Sequence, residues 1–167
     1  MQTINWYPGH MKKTRELIQE HLKLVDAAIA VLDARVPVSS RNPVIDVILN
    51  QKPRIIVLNK SDLADQQANL EWQSLFEQQG YSTLLMNCMK GSGVSRLFKT
   101  LNSLQEERDR GQMRKKPFRL MIVGVPNVGK SSLINRMTGK KSTQTGDKPG
   151  VTKGKQWLSL TNHMQLL

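Results

Sequence analysis

The stretch GVPNVGKSSL, residues Gly124–Leu133, decides the fold that the sequence predicts. It matches the pattern G-x-x-x-x-G-K-S/T at Gly124, Gly129, Lys130 and Ser131. The pattern follows an apolar, strand-like segment and precedes the helix-like SSLINRMTG, which is the context that a phosphate-binding loop requires. Glycines let backbone N–H groups approach phosphate oxygens, and the N-terminus of a helix attracts an anion. An ordinary glycine-containing turn is the alternative, but such a turn does not need four fixed residues between a strand and a helix.

We expect the residues of this loop to contact the phosphates of a nucleotide and its metal ion. Lys130 is expected to reach the terminal phosphates and to serve catalysis, and the Ser131 hydroxyl is expected to bind Mg²⁺. The loop lies in the last third of the chain, although such loops usually follow the first strand. The nucleotide-binding residues predicted in this region are Asn127, Val128, Gly129, Lys130, Ser131 and Ser132.

A second motif, NKSD at residues 59–62, follows the apolar segment RIIVL. In open α/β sheets, ligands bind outside the carboxyl ends of the strands, where this motif would lie. The Asp62 carboxylate can accept hydrogen bonds from N1–H and the exocyclic amine of guanine, whereas adenine has an acceptor at N1 and lacks that amine. Asn59 can donate to guanine O6 or N7, and the stem of Lys60 can cover the base plane. Alternatively, Ser61 and Asp62 cap a helix. The two motifs together favour a guanine nucleotide site.

Short apolar runs alternate with amphipathic segments along the chain, which is typical of βα units and a mostly parallel sheet. A chain of 167 residues predicts one such α/β domain. The predicted strands are Ala27–Leu32, Arg54–Leu58, Ser82–Met86, Arg119–Val123, Gln156–Leu160 and Met164–Leu167. The predicted helices are Met11–Leu24, Asn42–Asn50, Asp65–Gln79 and Val94–Glu107, with one more after the phosphate loop.

The formal charge of +12 is large for this size and favours a polyanionic partner such as nucleic acid. The alternative is a solubilising surface, with Lys130 assigned to the nucleotide. From residue 110 onward, Asp147 stands alone against the following basic residues: Arg110, Arg114, Lys115, Lys116, Arg119, Lys130, Arg136, Lys140, Lys141, Lys148, Lys153 and Lys155.

The sequence also bears on the compartment in which the protein works. No apolar run approaches the roughly 18 residues of a membrane span, and the N-terminal MQTINWYPGHMKK lacks the apolar core of a secretory signal. The single cysteine, Cys88, excludes an internal disulfide and fits a reducing environment. We therefore expect a cytoplasmic protein without a membrane partner.

The base-reading motif precedes the phosphate loop, which reverses the order found in ordinary GTPases. Together with NWYPGHM (Asn5–Met11), DARVPVSSRNP (Asp33–Pro43) and KPGVT (Lys148–Thr152), this order makes the sequence resemble the circularly permuted GTPases that assist ribosome assembly. The resemblance covers essentially the whole chain and implies a three-layer P-loop GTPase fold with a mostly parallel sheet. It implies binding of GTP or GDP and hydrolysis coupled to late assembly of the large ribosomal subunit. The implied partners are the subunit precursor and its rRNA, and a monomer is expected.

The segment EERDRGQMRKKP at residues 106–117 is charged, contains a glycine and ends in proline, which predicts a linker. It divides the domain, residues 1–167, into a guanine-reading half at 1–105 and a phosphate-loop half at 118–167. In GTPases, a turn after the strand that follows the base-reading motif offers a backbone N–H to guanine O6. MNCMKGSG (Met86–Gly93) corresponds to this turn by its order and its glycines. Asn87, Cys88 and Met89 stand where Ser-Ala-Lys is usual.

Further roles follow from the resemblance. Thr152 corresponds to the switch threonine, which binds Mg²⁺ when a γ-phosphate is present. Asn127 corresponds to a position that helps to hold K⁺ in related GTPases, so potassium dependence is a hypothesis. His10 either positions the attacking water or caps the helix that follows it. The segment DARVPVSSRNP is either structural, with Asp33 and Arg35 bracing the domain, or it contacts the ribosome.

The sequence departs from the family pattern at its end. The pattern predicts a D-x-P-G switch after a strand like MQLL, where the sequence stops at Leu167. The C-terminal helical domain that the family uses for RNA contact is also missing, so both a truncated form and a defective relative are open. We expect weakened nucleotide binding and little or no hydrolysis by residues 1–167, with GTP hydrolysis by the parent protein. The alternative function is a non-catalytic rRNA-binding or scaffold module with a relict nucleotide site.

Overall fold

The computed structural model describes residues 8–50, 52–139, 157–161 and 163–167, with the side chains of residues 8–10 excepted. The strands in these ranges are β1 Ala27–Asp33, β2 Arg54–Asn59, β3 Ser82–Leu85, β4 Phe118–Val123, β5 Leu158–Thr161 and β6 Met164–Leu166. They form one sheet in the order β3-β2-β1-β4-β6-β5. Neighbouring strands are parallel except β5 and β6, which are antiparallel. The predicted mostly parallel sheet is confirmed.

The helices follow the predicted pattern to within three residues at each end. They are α1 Pro8–Leu22, α2 Pro43–Leu49, α3 Gln66–Gln78, α4 Val94–Asp109 and α5 Lys130–Thr138, with a short 3-10 helix at Ser61–Leu63. Two of them begin at a side-chain cap: Asn42 accepts hydrogen bonds from the first turn of α2, and Asp65 accepts one from Ala68 N–H in α3. Such caps explain why the starts of these helices are readable from the sequence.

Successive side chains of the central strands point to opposite faces of the sheet, so the core has two parts, one on each face. On one face, α1, α2 and α3 cover Ala28, Ala30, Leu32, Ile56, Leu58, Met121 and Val123. On the other face, α4 and α5 cover Ala27, Ile29, Val31, Ile55, Val57, Phe118 and Leu120. Because successive side chains of a strand point to opposite faces, these continuous apolar runs require helices on both sides. The predicted three-layer α/β fold is confirmed.

The parallel pairing brings the ends of β1, β2, β3 and β4 to the same edge of the sheet. Asp33 of β1 pairs in register with Asn59 of β2, and Ala30 of β1 pairs with Val123 of β4. The base-reading segment after β2 and the phosphate loop after β4 therefore lie at one edge, with β1 between their strands. We call this edge the carboxyl edge and the opposite one the amino edge. The reversed order along the chain is thus compatible with one site in space.

The structure differs from the predicted linker at its first residues, because α4 continues through Asp109. The Arg108 guanidinium holds this last turn with ion pairs to Asp26 at 2.9 Å and Asp109 at 2.6 Å. It also donates to the carbonyl oxygens of Lys116 at 2.6 Å and Pro117 at 3.2 Å. Residues 106–109 of the predicted linker are therefore helical, and we call the remaining segment, Arg110–Pro117, the connector.

Within the ranges that the structure describes, no helix is long and apolar enough to cross a membrane.

Candidate functional site

The phosphate loop connects β4 to α5 through two close approaches that require glycine. A Cβ at Gly124 would lie 2.7 Å from the Val31 carbonyl oxygen. A Cβ at Gly129 would lie 2.2 Å from Nδ2 of Asn59, and Gly129 has a φ of +102°, which also favours glycine. The two glycines of the motif thus allow the loop to contact β1 on one side and the base-reading segment on the other.

Lys130 begins α5, and its ammonium group lies within the loop. Its Nζ donates hydrogen bonds to the carbonyl oxygens of Gly124 at 2.7 Å and Val125 at 2.9 Å. Burial lowers the pKa of Lys130 from its ordinary value because a charged amine loses solvation. Ser131 and Ser132 lie half-buried in the first turn of the same helix. A half-buried cation and a helix N-terminus therefore meet at this loop, an arrangement that favours an anion.

Asn59 joins the phosphate loop to the turn after β3. Its Nδ2 donates to the Val128 carbonyl oxygen at 2.8 Å, and its Oδ1 accepts from the Cys88 N–H at 2.9 Å. The side chain is 3% exposed, so both hydrogen bonds are shielded from water. Asn59 therefore positions both parts of the site. Its expected contact with guanine stays a prediction, for which the second hydrogen of the amide nitrogen is available.

Lys60 reaches across the site to the phosphate loop. It has a φ of +59°, and its Nζ donates to the Asn127 carbonyl oxygen at 2.7 Å. Asn127 itself has a φ of +66°, and Val128 is buried beneath the loop. The same Nζ lies 3.4 Å from Oδ2 of Asp33 at the end of β1. The predicted base-reading and phosphate-binding residues are thus in direct contact.

Asp33 fixes this end of β1 by a second set of contacts. Arg35 donates to both of its carboxylate oxygens, from Nε at 3.1 Å and from Nη2 at 2.8 Å. The hydrogen bond from the Arg35 side chain is the main cause that lowers the pKa of Asp33 to about 2, with Lys60 contributing further. Of the two alternatives for Asp33 and Arg35, these contacts support bracing. Sequence reasoning missed the link to Lys60, although an aspartate that ends an apolar strand at the carboxyl edge was the available signal.

Asp62 lies exposed in the short 3-10 helix, beside the turn after β3. Ser61 secures that position, because its hydroxyl donates to the Met86 carbonyl oxygen at 3.0 Å. The alternative in which Ser61 and Asp62 cap a helix is wrong, since Asp65 caps α3 and the 3-10 helix has no side-chain cap. The Asp62 carboxylate is therefore left to face solvent or a ligand.

The turn formed by Met86–Gly93 closes the site beside Asn59. The Asn87 backbone N–H and carbonyl both pair with Ser92, and its side chain accepts from the Lys90 N–H at 3.1 Å. Cys88 is buried, which raises the pKa of its thiol to about 12, and its N–H is bonded to Asn59. Met89 is 77% exposed, and its N–H has no acceptor among the described residues. Among these three residues, Met89 is thus the one whose backbone N–H is available to a ligand.

Arg136 of α5 is a site residue that the sequence did not identify. Its guanidinium donates to the carbonyl oxygens of Cys88, at 3.1 Å from Nε, and of Met89. These bonds tie the helix of the phosphate loop to the turn after β3. The sequence counted Arg136 as part of the basic excess only, because a contact over 48 residues leaves no local signal.

Two predicted site residues are not brought into this geometry. Thr152 lies outside the described residues. His10 lies in the first turn of α1, and its side chain is outside the described part of the molecule. Among the described residues, no group of three or more His, Cys, Asp or Glu side chains could hold a metal ion.

Comparisons with known proteins identify relatives over almost the whole chain. Ribosome biogenesis GTPase A of Bacillus pumilus is 45% identical over 169 residues, which cover 99% of this chain and 60% of that protein. The same-named protein of Priestia megaterium is 44% identical, with 99% of this chain and 59% of the relative covered. By sequence and by fold, the chain is a relative of the ribosome biogenesis GTPase A proteins.

A solved structure and a family assignment agree with this relationship. The crystal structure of GNP-bound YlqF from T. maritima matches with a TM-score of 0.68 and 32% identity, over 92% of this chain and 55% of that one. Residues 119–167 match the family described as 50S ribosome-binding GTPase. The chain spans about three fifths of the length of its ribosome biogenesis GTPase A relatives. The predicted relationship to permuted ribosome-assembly GTPases is confirmed.

Proposed function

We propose that this chain is the guanine nucleotide-binding part of a circularly permuted GTPase that acts in ribosome assembly. The observation that carries the proposal is the Asn59 side chain, which bonds the phosphate loop at 2.8 Å and the turn after β3 at 2.9 Å. A single buried side chain thereby holds the candidate phosphate and base contacts in one rigid unit. The names of the relatives and the GNP-bound and GDP-bound structures of YlqF support the same function.

The guanine base is recognised, on this proposal, by Asp62 and Met89. The exposed Asp62 carboxylate accepts from guanine N1–H and the exocyclic amine, and the Met89 N–H donates to O6. Adenine would place an acceptor opposite the carboxylate and would leave it without donors. Discrimination of this kind reaches about 10⁴ where the bound ligand buries the polar groups of the site. Lys60, which bonds the phosphate loop at 2.7 Å, covers the base with its stem.

The phosphates are bound by the loop at residues 127–132. The Lys130 ammonium contacts the terminal phosphates, and the loop N–H groups with the start of α5 bind the remaining charge. The Ser131 hydroxyl in the first helical turn fits Mg²⁺, which usually takes one or two protein ligands beside phosphate oxygens and water. When bound, Mg²⁺ neutralises charge on the β- and γ-phosphates. Thr152 would supply a further ligand to it.

Hydrolysis by the whole protein involves two further residues in this proposal. His10 positions the attacking water, and Asn127 helps to hold K⁺ beside the phosphates. The left-handed backbone of Asn127 and its carbonyl contact with Lys60 support a special role at this position. Equal hydrolysis rates in Na⁺ and K⁺ buffers would remove the potassium hypothesis.

The partners proposed for the whole protein are the precursor of the large ribosomal subunit and its rRNA, in the cytoplasm, with late subunit assembly as the coupled process. The formal charge of +12 and the names of the relatives support an RNA-rich partner. The protein acts as a monomer, with a guanine-reading half that ends with α4 at Asp109, the connector at 110–117 and a phosphate-loop half at 118–167. GTP and GDP are its nucleotides.

Titration of the chain with a fluorescent GDP, followed by competition with unlabelled nucleotides, tests this function. We expect micromolar binding that GTP and GDP displace and ATP does not, because ATP leaves Asp62 unpaired. Lys130→Ala should weaken binding at least tenfold, since the phosphates lose a half-buried cation. Absence of any nucleotide binding in the wild-type chain would instead support the alternative of a non-catalytic RNA-binding or scaffold module.

A further inference from the structure

The connector, Arg110–Pro117, lies at the amino edge of the sheet. It leads directly into Phe118, the first residue of β4, whereas the phosphate loop follows the last residue, Val123. Six strand residues separate the two, a span of about 20 Å. A ligand held by the connector would therefore not compete with a ligand at the carboxyl edge.

The connector carries concentrated charge that the protein does not neutralise. All eight of its residues are exposed, and it contains four basic side chains and no acidic one. Among the described residues, none of these four forms an ion pair. The four side chains are Arg110, Arg114, Lys115 and Lys116.

Arg108 anchors the connector to the end of α4 and to the start of β4. It forms ion pairs with Asp26 and Asp109 at the base of the connector, and its guanidinium lies 5.1 Å from the centre of the Phe118 ring. Its bonds to the Lys116 and Pro117 carbonyl oxygens hold the two ends of the connector together. The remaining acidic groups nearby, Glu106 and Glu107, lie exposed on the preceding turn of α4. The connector is thus an anchored loop with a net positive surface.

We propose that the connector is a docking surface for structured RNA, and that it contacts the phosphate backbone. Its four cations can each approach a phosphate, and it contains no aromatic residue that could stack on an unpaired base. It therefore recognises a duplex by its charge, without reading sequence. This inference rests on the ribosomal partner proposed above, but it is independent of the nucleotide site.

The salt dependence of binding gives the expected magnitude. Each phosphate contact on a duplex contributes a slope of about −0.9 to the logarithm of affinity against the logarithm of salt concentration. Four contacts contribute a slope of about −3.6, so raising salt from 50 to 200 mM weakens binding about 150-fold through the connector alone. Removing the four charges should reduce the magnitude of the slope by about 3.6 and lower the affinity at 100 mM salt by more than tenfold.

The test compares two variants of equal net charge. The first replaces Arg110, Arg114, Lys115 and Lys116 by Gln. The matched control replaces the same number of exposed cations on α1 and α4, with Lys12→Gln, Lys13→Gln, Arg96→Gln and Lys99→Gln. Binding to a fluorescent 20-base-pair RNA hairpin is measured between 50 and 200 mM salt, and fluorescent GDP binding is measured in parallel.

We expect the connector variant to lose the predicted slope and affinity, while the control variant changes its slope by less than one. An equal loss in both variants would overturn the proposal, because net charge would then explain RNA binding. An unchanged connector variant would also overturn it, as would a polyglutamate that competes as well as the RNA. If the RNA result overturns this proposal while the chain still binds GDP, the nucleotide function is unaffected. If the wild-type chain does not bind GDP, that result counts against the nucleotide function alone.

Discussion

Replacing Asn59 by Ala should remove the side-chain hydrogen bonds that link the phosphate loop to the turn after β3. The substitution leaves the Val128 carbonyl and the Cys88 N–H without their partners, and both residues are buried, at 2% and 0% exposure. An unsatisfied buried polar group costs about 1–3 kcal/mol, so we expect the free energy of unfolding to fall by about 2–4 kcal/mol. For a domain of this size, that corresponds to a decrease in Tm of roughly 5–15 °C.

Urea unfolding followed by tryptophan fluorescence measures this loss, and fluorescent GDP titration measures its effect on the site. Asn102→Ala is the matched control, because Asn102 is exposed on α4 and Ala favours a helix at least as well. It should change the unfolding free energy by less than about 0.5 kcal/mol. The reasoning is refuted if Asn59→Ala matches this control in stability and retains wild-type affinity for GDP.

Two further substitutions test contacts around this joint. Gly129→Ala should destabilise the protein and weaken GDP binding more than the control Gly80→Ala does. Both glycines have a positive φ, but only at Gly129 would the new Cβ meet another atom, Nδ2 of Asn59. Equal effects of the two substitutions in denaturant and GDP titrations would contradict this. In the wild type, the pKa of Asp33 is lowered from 3.8 to about 2, so its ionised carboxylate stabilises the fold above pH 4 and this contribution is lost as the group is protonated. Asp33→Asn should therefore show a smaller decrease in the free energy of unfolding between pH 4 and pH 2. The loss at pH 7 should be at most about 2 kcal/mol, and acid unfolding curves that stay parallel to the wild type would rule out this role.

Much of the fold could be predicted because its signals are local. The apolar runs of the central strands need helices on both faces, and Asn42 and Asp65 mark the starts of α2 and α3 with their own caps. The carboxyl-edge rule for parallel sheets then brought NKSD and the phosphate loop together before any contact was known. Chain order and motif spacing were sufficient for that step.

The remaining features depend on contacts between distant residues. The extent of α4 is set by Arg108, which pairs with Asp26 across 82 residues, and no pattern within the helix contains that information. The bonds of Arg136 to the turn after β3 likewise join segments that are far apart in sequence. The positioning role of Asn59 was hidden for a different reason, since a residue expected to contact the base also has to hold the protein atoms around it.

The account depends most directly on the proposed selection of the base by Asp62. Xanthine has a carbonyl oxygen where guanine has the exocyclic amine, so an amide at position 62 can donate to that oxygen and accept from N1–H. Competition titrations with GDP and xanthosine diphosphate, on the wild-type chain and on Asp62→Asn, measure this choice. We predict that the wild-type chain prefers GDP and that Asp62→Asn prefers xanthosine diphosphate, each by at least tenfold. An Asp62→Asn chain that still prefers GDP as the wild type does would contradict the proposed site.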